Sequence, residues 1–63
     1  MLKEYDVVRS VTNLPNVPIG SIGTILIIHE TGSDYVVEFV DLKTGRTLNV
    51  ITVREMDIAR IIT

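Results

Sequence analysis

The amino-acid sequence predicts a small all-β fold, and three observations carry that expectation. Runs rich in Val and Ile alternate with clusters of Gly, Pro, Asn and Asp, the punctuation of short strands and turns. No apolar stripe keeps helical spacing over three turns. The longest unbroken apolar run, Ile25-Leu26-Ile27-Ile28, is strand-sized.

The first strand is expected over residues 4–11, where Val7 and Val11 set against Arg9 suggest one inward and one outward side. Residues 12–20 form a long loop. Pro15 and Pro18 fix φ and remove backbone donors there, which forbids a central strand. Leu14, Val17 and Ile19 give this loop apolar anchors to pack back on the body. Residues 20–23, Gly-Ser-Ile-Gly, read as a tight turn in which both glycines serve the backbone. The second strand, residues 24–30, is apolar on both faces, as in a strand covered on both sides or bent between two sheets. Residues 31–34 make a hairpin loop.

The third strand, residues 35–40, alternates cleanly. Tyr35, Val37 and Phe39 should point inward, and Val36, Glu38 and Val40 outward. Residues 41–45 make a second hairpin loop with Gly45 in a left-handed position. The fourth strand, residues 46–53, is expected to put Leu48 and Val50 on one face and Asn49 and Ile51 on the other. Residues 54–57 suit a single 3₁₀ turn, with Asp57 capping it by accepting backbone N–H bonds. Residues 58–62 form the closing strand. Five antiparallel strands with a long first loop, two hairpins and a short 3₁₀ turn before the last strand match a small SH3-like barrel. Such a barrel covers most of its edges, which are a hazard in strands this apolar. An OB-fold usually needs more residues, and a meander would have to complete itself by dimerising.

Residues 1–63 are expected to form a single domain. A chain of this size buries only about 60% of its unfolded surface, yet 46% of its residues are hydrophobic. Some aliphatic side chains must therefore lie outside or under a partner. Cysteine is absent, which excludes disulfides and thiolate zinc sites and fits a reducing cytoplasm. The first residues lack the apolar stretch of a signal peptide or membrane span. The net charge of −2 and the scatter of Lys3, Arg9, Lys43, Arg46, Arg54 and Arg60 argue against nucleic acid, unless folding gathers the basic residues on one face.

No catalytic, cofactor-binding or metal-binding residues are assigned. His29 is the single histidine, and nothing nearby supplies a nucleophile or orienting group. The eight carboxylates read as a solvated acidic surface, and residues 41–45 lack the oxygen ligands of a calcium loop. Gly20 and Gly23 are not followed by the Lys-Ser/Thr and helix of a phosphate loop. The candidate partner-binding residues are Val36, Glu38, Val40, Asp41, Ile51, Val17 and Ile19, apolar positions expected outside the core with acidic neighbours for steering.

The segments Asp6-Val7-Val8, Leu14-Pro15, Gly20-Ser21-Ile22-Gly23-Thr24, Tyr35 to Asp41 and Gly45-Arg46-Thr47, with Thr52 and Asp57-Ile58, resemble the small bacterial family known as domain of unknown function 4926. The likeness runs from about Asp6 to Ile58. It implies an SH3-like β-barrel, similar in layout to accessory subunits such as the ferredoxin-docking subunits of photosynthetic complexes and the barrel of nitrile hydratase. It also implies a place beside another small gene, hence an antitoxin or immunity role. Residues and resemblance together point to a non-catalytic module, not an enzyme, that binds another protein encoded nearby. The alternatives are a KOW-like nucleic-acid-binding barrel and a self-associating structural protein that forms a homodimer.

Overall fold

A computed structural model describes residues 2–61 of the chain. Its strands are β1 (Val7–Ser10), β2 (Ile22–Ile28), β3 (Asp34–Val40), β4 (Thr47–Arg54) and β5 (Ile58–Arg60), with a 3₁₀ turn, Glu55–Asp57, between the last two. They form one antiparallel sheet in the order β4-β3-β2-β1-β5. This is the expected layout, although the sheet is open: among the described residues β4 and β5 share no ladder. The part of the closing strand expected at Ile62 lies outside the described residues.

The core explains how a single sheet buries itself. Val8 of β1, Ile25 of β2, Tyr35, Val37 and Phe39 of β3, Val53 of β4 and Ile58 of β5 form one cluster. They come from every strand and meet on one side, so the sheet must curl around them. The alternation expected for β3 is present, with Tyr35, Val37 and Phe39 buried and the residues between them half-exposed.

Two bulges accomplish the curl and reverse the parity of their strands. In β2, Ile25 faces Val37 and Ile27 faces Val36, leaving Leu26 as the extra residue. In β4, Thr47 faces Val40 and Asn49 faces Phe39, leaving Leu48 extra. An extra residue bends the strand and shifts which side chains look inward. This accounts for the two-faced apolarity of β2. It also corrects the faces of β4: Leu48 and Ile51 both pack against the core, while Val50 is exposed.

Strand β1 is corrected as well. Its buried pair is Val8 and Ser10, whereas Val7 and Val11 are exposed. Ser10 is tolerated inside because its hydroxyl donates to the Pro18 carbonyl at 3.0 Å and accepts from the Ser21 N–H at 3.1 Å. A buried hydroxyl with both roles filled avoids its desolvation cost.

The long loop packs back as expected, by a specific device. Leu14 and Val17 exchange backbone hydrogen bonds, each 2.9 Å long, around Pro15 and Asn16. Asn16 has φ 58°, the left-handed conformation that the third position of a Pro-containing type II turn requires. This turn drives Val17 into the core, and Asn49 Nδ2 ties it to β4 by donating to the Pro15 carbonyl at 2.9 Å. Ile19 is not an anchor; it is 60% exposed.

The two glycines of residues 20–23 do different things. Gly20 has φ 89° and turns the chain. Gly23 lies inside β2 as a packing residue. A Cβ there would fall 2.7 Å from Val37 Cγ1 and 2.8 Å from Phe39 Cδ1.

Candidate binding surface

The outer face of the sheet is read from its register. Arg9, Ile22, Val40 and Thr47 form one cross-strand row, Val7, Thr24, Glu38 and Val50 the next, and Ile27, Val36 and Thr52 the third. Val36, Glu38 and Val40 therefore stand on one side, as their alternation predicts. Val50 takes the outward place expected of Ile51. Ile51 packs half-buried against the core instead of standing on the outer face, and Val17, 1% exposed within the core, is not available to a partner. The bulge at Leu48 and the turn around Pro15 are the respective causes.

At the Val40 end of this face the surface becomes concave. Residues 18–21 of the long loop stand on one side and the β3–β4 hairpin on the other, enclosing an open groove of about 350 Å³. Ile19, Ile22, Val40, Leu42 and Leu48 supply its apolar surface, and Asp41 and Lys43 its charge. Ile19, Val40 and Asp41 were candidates from the sequence; Ile22, Leu42 and Leu48 were not. Leu42 is 73% exposed. The only sequence signal for it is a large aliphatic residue placed in an otherwise polar hairpin loop.

The groove walls are well fixed. Asp41 accepts the Lys43 N–H on Oδ1 at 2.8 Å, and its own carbonyl accepts the Gly45 N–H at 2.7 Å. Gly45 has φ 74°, as expected for the hairpin. Across the gap, Ser10 and Ser21 both donate to the Pro18 carbonyl, and Asn13 Oδ1 accepts the Ile19 N–H at 2.9 Å. An exposed aliphatic side chain on a braced backbone loses little backbone freedom when it is covered.

Other polar candidates are occupied locally. Glu38 accepts from the Thr47 hydroxyl at 2.7 Å. Asp57 is buried and accepts the Arg54 N–H at 2.9 Å, the capping role its position suggests. Asp6 accepts the Lys3 N–H at 2.9 Å. His29 is exposed just after β2, where its backbone closes the β2–β3 hairpin onto the Asp34 carbonyl at 3.0 Å. Among the described residues no three His, Asp or Glu side chains gather as a metal site would need, and no helix is long and apolar enough to cross a membrane. Of the basic residues, Arg46 and Arg54 stand at opposite ends of β4.

A family model described as "Domain of unknown function (DUF4926)" matches residues 4–60. The chain belongs to the DUF4926 family. The DUF4926 match takes in all five strands, the 3₁₀ turn and both walls of the groove. No curated protein and no solved structure matches the chain.

Proposed function

We propose that this DUF4926 domain is a non-catalytic protein-binding module of the bacterial cytoplasm, acting as an antitoxin, immunity protein or accessory subunit. The observation that carries this reading is the groove beside Val40. Ile19 and Leu42 are exposed on its two walls, and Ile22 and Leu48 line it. Clustered aliphatic side chains on rigid backbone gain from being covered, at roughly 25 cal/mol per Å² removed from water. The partner is a protein encoded nearby that inserts an apolar side chain into the groove and sets charged groups against Asp41 and Lys43. Charges at such a rim govern orientation and on-rate more than affinity.

Co-expression of the tagged chain with the products of its neighbouring genes tests the reading. The expected result is a stable complex that Ile19→Glu and Leu42→Glu each weaken at least tenfold, while Glu30→Gln, away from the groove, does not. Recovery of the chain alone, or a complex indifferent to both groove substitutions, would refute it.

A further inference from the structure

Strand β4 lies at the edge of an open sheet, and the structure gives that edge a blocking device. The Glu55 N–H donates to the Ser33 carbonyl at 2.9 Å, and β3 and β4 pair Asp34 with Arg54, Tyr35 with Val53 and Val37 with Ile51. Hydrogen-bonded and non-hydrogen-bonded pairs alternate in an antiparallel ladder. The odd-numbered residues of β4 from Asn49 to Val53 thus turn their N–H groups toward β3. Val50, Thr52 and Arg54 turn theirs outward, where another strand could bind.

Two of these outward donors are already taken by side chains of the same molecule. The Val50 N–H donates to Asn49 Oδ1 at 3.0 Å, and the Arg54 N–H donates to Asp57 Oδ2 at 2.9 Å. Thr52 alone keeps an outward N–H without a partner among the described residues. We infer that Asn49 and Asp57 act as plugs that keep β4 from pairing with the β4 edge of a second copy of this chain. An incoming strand would have to displace both acceptors to gain its ladder, and Asp57 is buried and held by the 3₁₀ turn. Unblocked apolar edges are templates for such pairing. The inference does not rest on the groove, because the edge and the groove use different groups.

Two measurements test it. In amide hydrogen exchange on the wild-type chain, Val50 and Arg54 should exchange at least tenfold more slowly than Thr52. Equal, fast exchange at all three positions would overturn the assignment. In light scattering at matched concentration, Asn49→Ala should move the mass above that of the wild type. Asn49→Asp keeps an acceptor for Val50 while losing the Nδ2 bond to the Pro15 carbonyl, and should leave the mass at the wild-type value. Adding Thr52→Pro to Asn49→Ala should restore that value, since proline is tolerated on an edge and cannot donate to a ladder. An unchanged mass for Asn49→Ala, or association that persists with Thr52→Pro, would sink the inference. Should Asn49→Ala fail to fold, the exchange measurement still decides.

Discussion

The hydroxyl of Ser10, fully buried in β1, donates to the carbonyl of Pro18 at 3.0 Å and so pins one wall of the groove to the sheet. The same oxygen accepts the Ser21 N–H. Replacing Ser10 by Ala strips Ser21 of that acceptor and Pro18 of one of its donors. We expect a loss of about 1–3 kcal/mol, measured by urea denaturation, together with faster amide exchange at Gly20 and Ser21. Unaltered stability and exchange would mean the hydroxyl bonds add nothing to the loop.

Gly23→Ala should destabilise by collision. The new methyl would sit 2.7 Å from Val37 Cγ1 and 2.9 Å from the Glu38 carbonyl oxygen. Overpacking of this kind costs about 1–3 kcal/mol, or a Tm fall of very roughly 4–8 °C per kcal/mol in a domain this small. Combining it with Val37→Ala relieves the nearest contact, so the double variant should be more stable than the summed single losses predict. Strict additivity would place the strain elsewhere.

Val17 and Ile19 lie two positions apart in one loop and should behave in opposite ways. Val17→Ala empties a core site and should cost about 2 kcal/mol. Ile19→Ala removes an exposed side chain and should stay within about 0.5 kcal/mol, while weakening the proposed complex. Equal effects on stability would contradict the turn that separates them.

Burial, and secondarily the Glu55 carboxylate, hold the Tyr35 phenol above its usual 10.0. A pKa raised on folding means the native state keeps its proton to higher pH than the unfolded chain. The associated stability is complete below the unfolded value of about 10 and is lost as pH rises through the native one. Tyr35→Phe also lacks the 3.1 Å bond that the phenol donates to the Gly32 carbonyl, so it should be less stable near pH 7 by about 1 kcal/mol. Its stability should also fall less steeply above about pH 10 than that of the wild type. Denaturation curves across pH 7–11 that differ by a constant offset would remove Tyr35 from the alkaline transition.

Much of this fold was legible because β3 is central and its alternation is undisturbed, so Tyr35, Val37 and Phe39 declare the core directly. The left-handed Gly45 and the capping Asp57 were legible too, because each role depends on a few neighbours in sequence. The inward face of β1 was not, because one of its two buried residues is a serine whose partners lie in a distant loop. Ile51 was misplaced because the bulge has no marker in the sequence, where Leu48 stands between Thr47 and Asn49 like any regular strand residue. Of the groove, Val40, Asp41 and Ile19 were visible one at a time. Their meeting with Leu42 depends on the loop and the hairpin approaching across the sheet, and no periodicity along the chain encodes that.

The spare residues Leu26 and Leu48 also set a rule for how this chain can change length. Removing a residue from an exposed hairpin tip would shorten a loop. Removing Leu26 or Leu48 would instead leave a regular ladder, with Val53 still opposite Tyr35 and Thr52 still opposite Val36, and would take away only the local bend. The two positions are therefore where these strands can shorten without re-pairing, at the expense of the curvature that wraps the sheet over its core.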